Sequence, residues 1–324
     1  MIRITLLLLS TLFISITTQA EIKYKITVAQ DGSGDYTSIQ EAIDATKSFP
    51  PKRITIYIKN GIYNEKVKVP EWNNKLSLIG ESKEKTIITY NDFFEKINRG
   101  RNSTFFTYTL KVEADDFYAE NLTIQNASGP VGQAVALHVE GNRCKFVNCN
   151  IIGNQDTLYA AGQNSLQYYR DCYIEGTVDF IFGAATAFFE DCTLHCKSNS
   201  YITAASTPNG KAFGYVFYRC KITADSNVTS VYLGRPWRDY AKVAYIECEM
   251  GSHINPEGWK NWSGTERDQT AYYTEYGNTG PGANTKQRVE WSHQINENEA
   301  AKYSLINVMS PVLDNHGYDW ILNK

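Results

Sequence analysis

Phe146-Val147-Asn148-Cys149-Asn150-Ile151 and Tyr169-Arg170-Asp171-Cys172-Tyr173-Ile174 share one form: an aromatic residue, a polar residue just before Cys, and an aliphatic residue two positions after it. The form returns as Phe189–Cys192–Leu194, Phe217–Cys220–Ile222 and Tyr245–Cys248–Met250. Tyr118–Asn121 reads as an earlier rung with Asn in place of Cys. Successive rungs are 28, 23, 20, 28 and 28 residues apart. A repeat of roughly 20–30 residues, each carrying short β-branched and aromatic runs, marks a solenoid. No period of about 3.6 residues links the rungs, so leucine-rich and βαβ architectures fit poorly. Each turn is expected to be a coil of short strands stacked ~4.8 Å above the last, with the cysteines as an inward ladder. The chain holds 7 Cys, so at least one is unpaired. Stacked Cys on parallel strands suit unstrained disulfides poorly, although Cys172 and Cys192 could be bridged in an oxidising compartment.

The rest of the chain agrees with one elongated all-β domain over 21–324. Ser38-Ile39-Gln40-Glu41-Ala42-Ile43-Asp44-Ala45-Thr46 predicts a short amphipathic helix with a Ser cap, placed to close the first coil. Strands are expected at Arg53–Ile58, Lys66–Val69, Leu76–Ile79 and Thr86–Thr89. Residues 91–103 are polar and irregular and are expected to form a loop on the flank. Beyond Met250, Gly, Asn, Pro and Trp predict long loops over 251–285. The segment from Glu297 is expected to be helical and to cap the far end. Ahead of all this, Arg3, the apolar run Leu6 to Ile16 and Thr18-Gln19-Ala20 have the form of an export signal cleaved near Ala20. That run is short of the roughly 20 residues needed to span a bilayer. A secreted or periplasmic protein follows. The net charge of −3 argues against nucleic acid or an anionic membrane as partner, while 22 Tyr offer faces for sugar rings.

The ladder also sets a register. Asp156 lies seven residues after Cys149, and Asp179 seven after Cys172, so the two carboxylates occupy equivalent places in consecutive coils. Each sits in an apolar, β-prone run, where a charge is costly unless paired or used. Stacked like charges could bind a cation, share an Arg, or hold different protonation states for acid–base chemistry. Gln155 precedes Asp156, and Gln133 lies 22 residues earlier, about one coil. Amide donors beside carboxylates suit a developing oxyanion better than a hard cation, which calls for more oxygen ligands. Arg235, in Leu233-Gly234-Arg235-Pro236-Trp237, supplies the positive charge, and Trp237 a face for a sugar. His138, His195 and His253 have no evident chemical partner and are expected to be structural.

Gln133-Ala134-Val135-Ala136-Leu137, Gln155-Asp156-Thr157-Leu158-Tyr159, Gly176-Thr177-Val178-Asp179-Phe180-Ile181-Phe182-Gly183 and Leu233-Gly234-Arg235-Pro236-Trp237 together resemble the pectin methylesterases. Gly61-Ile62-Tyr63-Asn64-Glu65, Pro256-Glu257-Gly258-Trp259 and Tyr276-Gly277-Asn278-Thr279-Gly280-Pro281-Gly282-Ala283 extend the resemblance over nearly the whole chain. It implies a right-handed parallel β-helix, active as a monomer on homogalacturonan (pectin), without metal or other cofactor. By the same resemblance Asp179 is the nucleophile and Asp156 the general acid and base. Gln133 and Gln155 are then the oxyanion donors, and Arg235 orients the nucleophile. Tyr159, Val178, Phe182 and Trp237 match positions lining the substrate groove. His138 departs from the family, many of whose members carry Arg there.

Physical chemistry supports the same roles. Arg235 beside Asp179 favours its ionised form, and the charge on Asp179 raises the pKa of Asp156. Two other readings stay in view. A β-helical pectin lyase would want a calcium cluster, and a polygalacturonase would leave the amide donors unexplained. A noncatalytic carbohydrate-binding β-helix would leave the Gln, Asp and Arg set unused.

Overall fold

The computed structural model describes residues 22–310 and 319–322. The expected export signal, 1–20, lies outside the described residues. From Lys25 the chain winds through three parallel sheets, one strand of each per turn. An eleven-stranded sheet runs from Lys25–Val28 through Cys144–Val147 and Leu166–Arg170 to His293–Gln294. An eight-stranded sheet runs from Gly61–Asn64 to Glu249–Met250, and a seven-stranded sheet from Val67–Val69 to Tyr232–Pro236. Every strand pairs with its counterpart one coil away, in parallel. The fold is the expected right-handed parallel β-helix.

The rungs predicted from the cysteine pattern are its interior. Phe146 stacks on Tyr169 at 5.0 Å, Tyr169 on Phe189 at 4.7 Å, Phe189 on Phe217 and Phe217 on Tyr245 at 4.6 Å each. The rings lie within 16° of parallel. Each such pair is worth about 0.5–1.5 kcal/mol beyond the area it buries. The cysteines stack beside them, buried and unbridged, so Cys172 and Cys192 are free thiols here. From Cys172 onward each rung thiol reaches the backbone of the coil before it. Cys172 Sγ donates to Phe146 O at 3.6 Å, Cys192 to Tyr169 O at 3.5 Å, Cys220 to Phe189 O and Cys248 to Phe217 O at 3.4 Å. A small apolar side chain with one weak donor fits that slot.

The polar residue before each Cys makes the corner. Asn148, Asp171, Asp191, Arg219 and Glu247 all have φ between 50° and 56°, the left-handed conformation that turns the chain from one sheet to the next in a single residue. This moves one expected rung. Tyr118 pairs with Lys145 and Thr123 with Asn150, so Asn121 aligns with Asn148, not with Cys149. Asn121 is the corner residue, with φ 58°, and accepts from Asn148 Nδ2 at 2.7 Å. Leu122, fully buried, holds the cysteine position in that coil.

The ends follow the sequence in part. Ile39–Asp44 is the expected helix; Ser38 Oγ accepts from Glu41 N, and Ile39, Ala42 and Ile43 are buried against the first coil. Glu65 reinforces it by accepting from Ile39 N and Gln40 N at 3.0 Å each. Residues 91–103 are not a plain flank loop. They carry a helical turn, Phe94–Ile97, and the start of a 3-10 helix, Gly100–Phe106. The C-terminal helices also differ from expectation. Val308 and Met309 pack on the outer face of the eleven-stranded sheet, with Tyr168, Phe188, Val216 and Ala244, and do not cap the coil. That face is apolar because alternate side chains of these strands point away from the ladder. The loops expected beyond Met250 are present, interrupted by Tyr272–Tyr276, which adds another strand to the eleven-stranded sheet.

Cys220→Ala removes a buried sulfur and its contact to Phe189 O, and should lower unfolding free energy by ~1–2 kcal/mol in a denaturant titration. Thiol titration of the unfolded, unreduced protein should find all seven cysteines free.

Candidate active site

The seven-stranded sheet presents the site. Gln133 pairs with Gln155 across one coil step, and Leu158 with Ile181 across the next, so Asp156 stacks beneath Asp179. Both aspartates sit at a corner and are left-handed, with φ 64° and 49°. Asp tolerates this conformation, whereas a β-branched residue would be strained there. Asp156 N donates to Val178 O at 3.1 Å and Asp179 N to Tyr201 O at 2.9 Å, which fixes both corners. Gly153 and Gly176 hold equivalent positions in the two motifs. A Cβ on Gly153 would lie 2.7 Å from Thr157 Oγ1, and one on Gly176 would lie 2.2 Å from Phe180 Cβ. The glycines let the chain fold tightly around each Asp.

The corners open into a cleft of about 280 Å³ lined by Gln133, Gln155, Asp156, Asp179, Phe182, Arg235 and Trp237, together with Arg101, Thr104, Phe105, Ala204 and Trp262. Arg235 binds Asp179 in a bidentate fork, Nε to Oδ1 at 3.0 Å and Nη2 to Oδ2 at 2.6 Å. Its guanidinium lies between two rings, 4.1 Å from the centres of Tyr201 and Trp262. Thr104 Oγ1 donates to Gln133 Oε1 at 2.7 Å, leaving the amide nitrogen of Gln133 to serve the Asp156 carboxyl. Tyr159 is half-buried, stacked between His138 at 4.6 Å and Phe182 at 4.5 Å and 5.1 Å from Phe105, so it packs directly against two residues of the cleft wall. Val178 contributes its carbonyl to Asp156, and its side chain is not among those lining the cleft.

The two carboxyls titrate differently. Burial pushes Asp156 well above the ordinary carboxylate range, and the charge on Asp179 pushes it further; Arg235 and Gln133 offset only part of this. Burial also raises Asp179, against the hydrogen bonds and charge of Arg235. Arg235 alone would lower the pKa of Asp179. Desolvation outweighs the ion pair, so Asp179 also lies above its ordinary value. The ordering survives, because Asp156 has no cation of its own. Of the two, Asp156 is the one whose surroundings favour the protonated form more strongly.

The histidines are structural, as expected. His138 is buried and its Nε2 meets Glu140 Oε1 at 2.8 Å, while burial lowers its pKa. His195 contacts Thr223 and Asp225 on the eight-stranded sheet. His253 is buried near the far end. No group of three or more His, Cys, Asp or Glu that could hold a metal ion occurs among the described residues. Sequence reasoning missed Arg101, Thr104, Phe105, Tyr201 and Trp262. Arg101 comes from the segment read as a loop, Thr104 and Phe105 from the two residues just after it, and Trp262 from the loops beyond Met250, where no repeat gives a register.

A raised pKa has a consequence for stability. The folded protein keeps a proton on Asp156 that the unfolded chain releases near pH 4, so wild-type stability should fall as pH rises from about 4 toward the folded pKa. Asp156→Asn removes that slope. In thermal or denaturant unfolding it should exceed the wild type in stability at neutral pH, with the gap closing toward about pH 4.

The geometry agrees with what known proteins show. Residues 25–311 match the family model described as Pectinesterase. Pectinesterase 31 of Arabidopsis thaliana is 41% identical over 89% of this chain and 93% of its own. The chain spans about half the length of longer curated relatives such as the probable pectinesterase/pectinesterase inhibitor of Brassica napus, at 38% identity and 52% of that protein. Among solved structures, the pectin methylesterase from carrot superposes with a TM-score of 0.82 at 34% identity, covering 88% of this chain and 92% of the other. A pectin methylesterase in complex with hexasaccharide VII gives 0.77 at 26%, covering 90% of this chain and 98% of the other. With a match across nearly all of its described length and the same β-helix, this chain belongs to the pectinesterase family.

Proposed function

We propose that the protein hydrolyses the methyl esters of homogalacturonan to pectate and methanol, through an aspartyl acyl-enzyme. The observation that carries this reading is the division of labour between the stacked aspartates: Arg235 forks onto Asp179, while Asp156 has no cation of its own. Asp179, ionised and held by Arg235, attacks the ester carbonyl. The oxyanion that forms is met by the amides of Gln133 and Gln155, donors that need no reorganisation during the step. Asp156 gives its proton to the departing methoxyl, and methanol leaves. Acylation consumes the charge on Asp179 that had raised Asp156. Asp156, now a carboxylate, takes a proton from water, which attacks the acyl carbon and frees Asp179 and the galacturonate.

The supports are geometric. All five polar residues named above line one cleft. Phe182 and Trp237 give it apolar walls, with rings 5.8 Å apart, suited to a sugar face. Tyr159, stacked on Phe182, and Val178, beside Asp179, extend the groove next to the cleft. A hexasaccharide occupies one solved relative, which favours a pectin chain as the ligand here. No described helix is long and apolar enough to cross a membrane. Together with the signal-like residues 1–20, we take the functional unit to be 21–324, exported to the periplasm or beyond.

On highly methylated pectin the protein should release methanol and acid while polymer length stays constant, read by methanol assay and size-exclusion chromatography together. A fall in chain length, or unsaturated ends absorbing in the ultraviolet, would assign it to the depolymerases. The pH profile tests the roles. Activity should fall on the acid side as Asp179 gains a proton and on the alkaline side as Asp156 loses one. Arg235 stabilises the charged form of both groups, so Arg235→Ala should move both limbs of kcat against pH upward while lowering the maximum. Limbs that stay in place would mean that Arg235 does not govern the charge of the pair.

A further inference from the structure

Phe49 breaks two conformational preferences at once. Its φ is 49°, in the left-handed region that a bulky residue avoids, and it precedes Pro50, which restricts it further. Such strain persists where packing or function demands that side chain. Packing does not demand this one, because Phe49 is 69% exposed, on the turn that follows helix Ile39–Asp44 at the first coil. Gly or Asn would make the same turn with less strain.

A second ring stands beside it. Phe49 N donates to Trp72 O at 2.7 Å and Ile54 N to Lys75 O at 3.0 Å, so residues 49–54 run alongside 72–75. Trp72 is 44% exposed. The backbone beneath it is pinned, because Asn73 is buried, its N donates to Pro70 O at 2.9 Å and its Nδ2 to Thr46 Oγ1 at 2.6 Å. Tyr24, whose O accepts from Thr55 N at 2.9 Å, adds a half-buried ring on the opposite side.

The charges around these rings are positive and unpaired. Lys47 and Lys52 are exposed, Lys75 is half-buried, and none of them forms an ion pair among the described residues. Lys52 Nζ lies 4.0 Å from the centre of the Tyr24 ring. The acids of the same stretches are Asp44 and Glu71, and Asp44 already accepts from Gln40 Nε2 at 2.8 Å. None of these residues lines the cleft. Trp72 follows Val67–Val69, which lies three strand steps before Leu158–Ala160 and four before Ile181–Gly183 in the seven-stranded sheet. That is roughly 14–19 Å from the aspartates along the axis.

Exposed, rigid rings suit the apolar face of a pyranose, and unpaired ammonium groups suit a carboxylate. A galacturonan chain with free carboxylates carries both features along its length. We propose that Phe49, Trp72 and the lysines around them form a noncatalytic binding site for such a chain, separate from the cleft. It gives the enzyme a second point of attachment to the polymer, which raises the concentration of esters at the cleft. This rests on the esterase reading above.

The test measures kcat and KM by methanol release on half-esterified pectin and on a methylated tetragalacturonide, shorter than the hexasaccharide held by a solved relative. Phe49→Ala with Trp72→Ala should raise KM on the polymer about fivefold or more, the usual loss when an aromatic anchor is truncated. Both constants on the short ester should stay at their wild-type values, which shows the cleft to be folded and intact. Phe49→Tyr with Trp72→Phe, which keeps both ring faces, should retain most of the affinity for the polymer. Lys47→Gln with Lys52→Gln and Lys75→Gln should raise KM on the polymer at ~10 mM salt and converge with the wild type at ~1 M. Equal losses on both substrates, or no loss on the polymer, overturn the assignment. So does a wild type that elutes as a dimer where the Ala variant elutes as a monomer, which would give the rings to a second copy. Equal retardation of the wild type in native gels containing pectin and neutral hydroxyethylcellulose overturns it as well. If the wild type releases no methanol from either substrate, the esterase reading falls and this inference with it. If methanol is released and KM on the polymer does not move, only this inference fails.

Discussion

Two buried carboxylates, stacked one strand spacing apart, are the constraint to which the rest of the structure answers. Were both ionised, their repulsion at ~4.8 Å would be on the order of 3–4 kcal/mol at an effective dielectric of 20, before any cost of desolvation. A stable wall would not normally contain such a pair. The chain resolves it by asymmetry. Arg235 pairs with Asp179, while burial and the charge on Asp179 favour the protonated form of Asp156. The unequal treatment of two chemically identical side chains is what the proposed roles of nucleophile and acid require, in a cleft that both line.

That asymmetry depends on register, and register comes from the stacked interior. Coils of very different length, from 20 to 28 residues, all return to the same aromatic rung and the same left-handed corner. Surplus residues are carried by loops outside the ladder. Every carbonyl of the aromatic rungs from Phe146 to Phe217 receives a thiol from the next coil, so a slip of one residue would break a row of contacts at once. Asp156 and Asp179 each stand seven residues beyond a rung, and therefore inherit its alignment. The catalytic geometry is a by-product of how the core is stacked.

This explains what could be read without coordinates. Where the repeat runs, from Phe146 to Met250, strand positions, the inward cysteines and the stacking of the two aspartates all follow from spacing. At its edge the reading slipped by one residue, because Asn121 resembles a corner and a rung equally well until the pairing of Tyr118 with Lys145 decides. Outside the repeat, sequence is silent about direction. Residues 91–103 look like an exposed loop because Arg101 and Asn102 are indeed exposed, yet Ser103 and Thr104 are buried. Nothing local announces that Thr104 will meet Gln133, 29 residues later. The pKa of Asp179 was misjudged for a related reason. The ion pair is legible in the motifs, whereas the depth of burial is a property of the assembled cleft.

A ring from the repeat and one from the loops beyond it allow Arg235 to give both edge hydrogen bonds to Asp179. A buried guanidinium needs compensation for the water it loses. A second carboxylate would supply it, but would compete for the charge and add a third acid to the cleft. Tyr201 and Trp262 supply it with π faces on either side, 4.1 Å from the guanidinium carbon. Such contacts are worth ~0.5–2 kcal/mol each and leave the edge of the fork free for hydrogen bonding. Both edge nitrogens, Nε and Nη2, go to Asp179. Trp262 reaches that place because its loop is pinned by neighbours: Asn261 Nδ2 donates to Thr265 O at 2.7 Å and to Asp268 Oδ1 at 2.8 Å. The irregular region after Met250, least readable of the chain, thus supplies one of the two faces that leave both hydrogen bonds of the fork to Asp179.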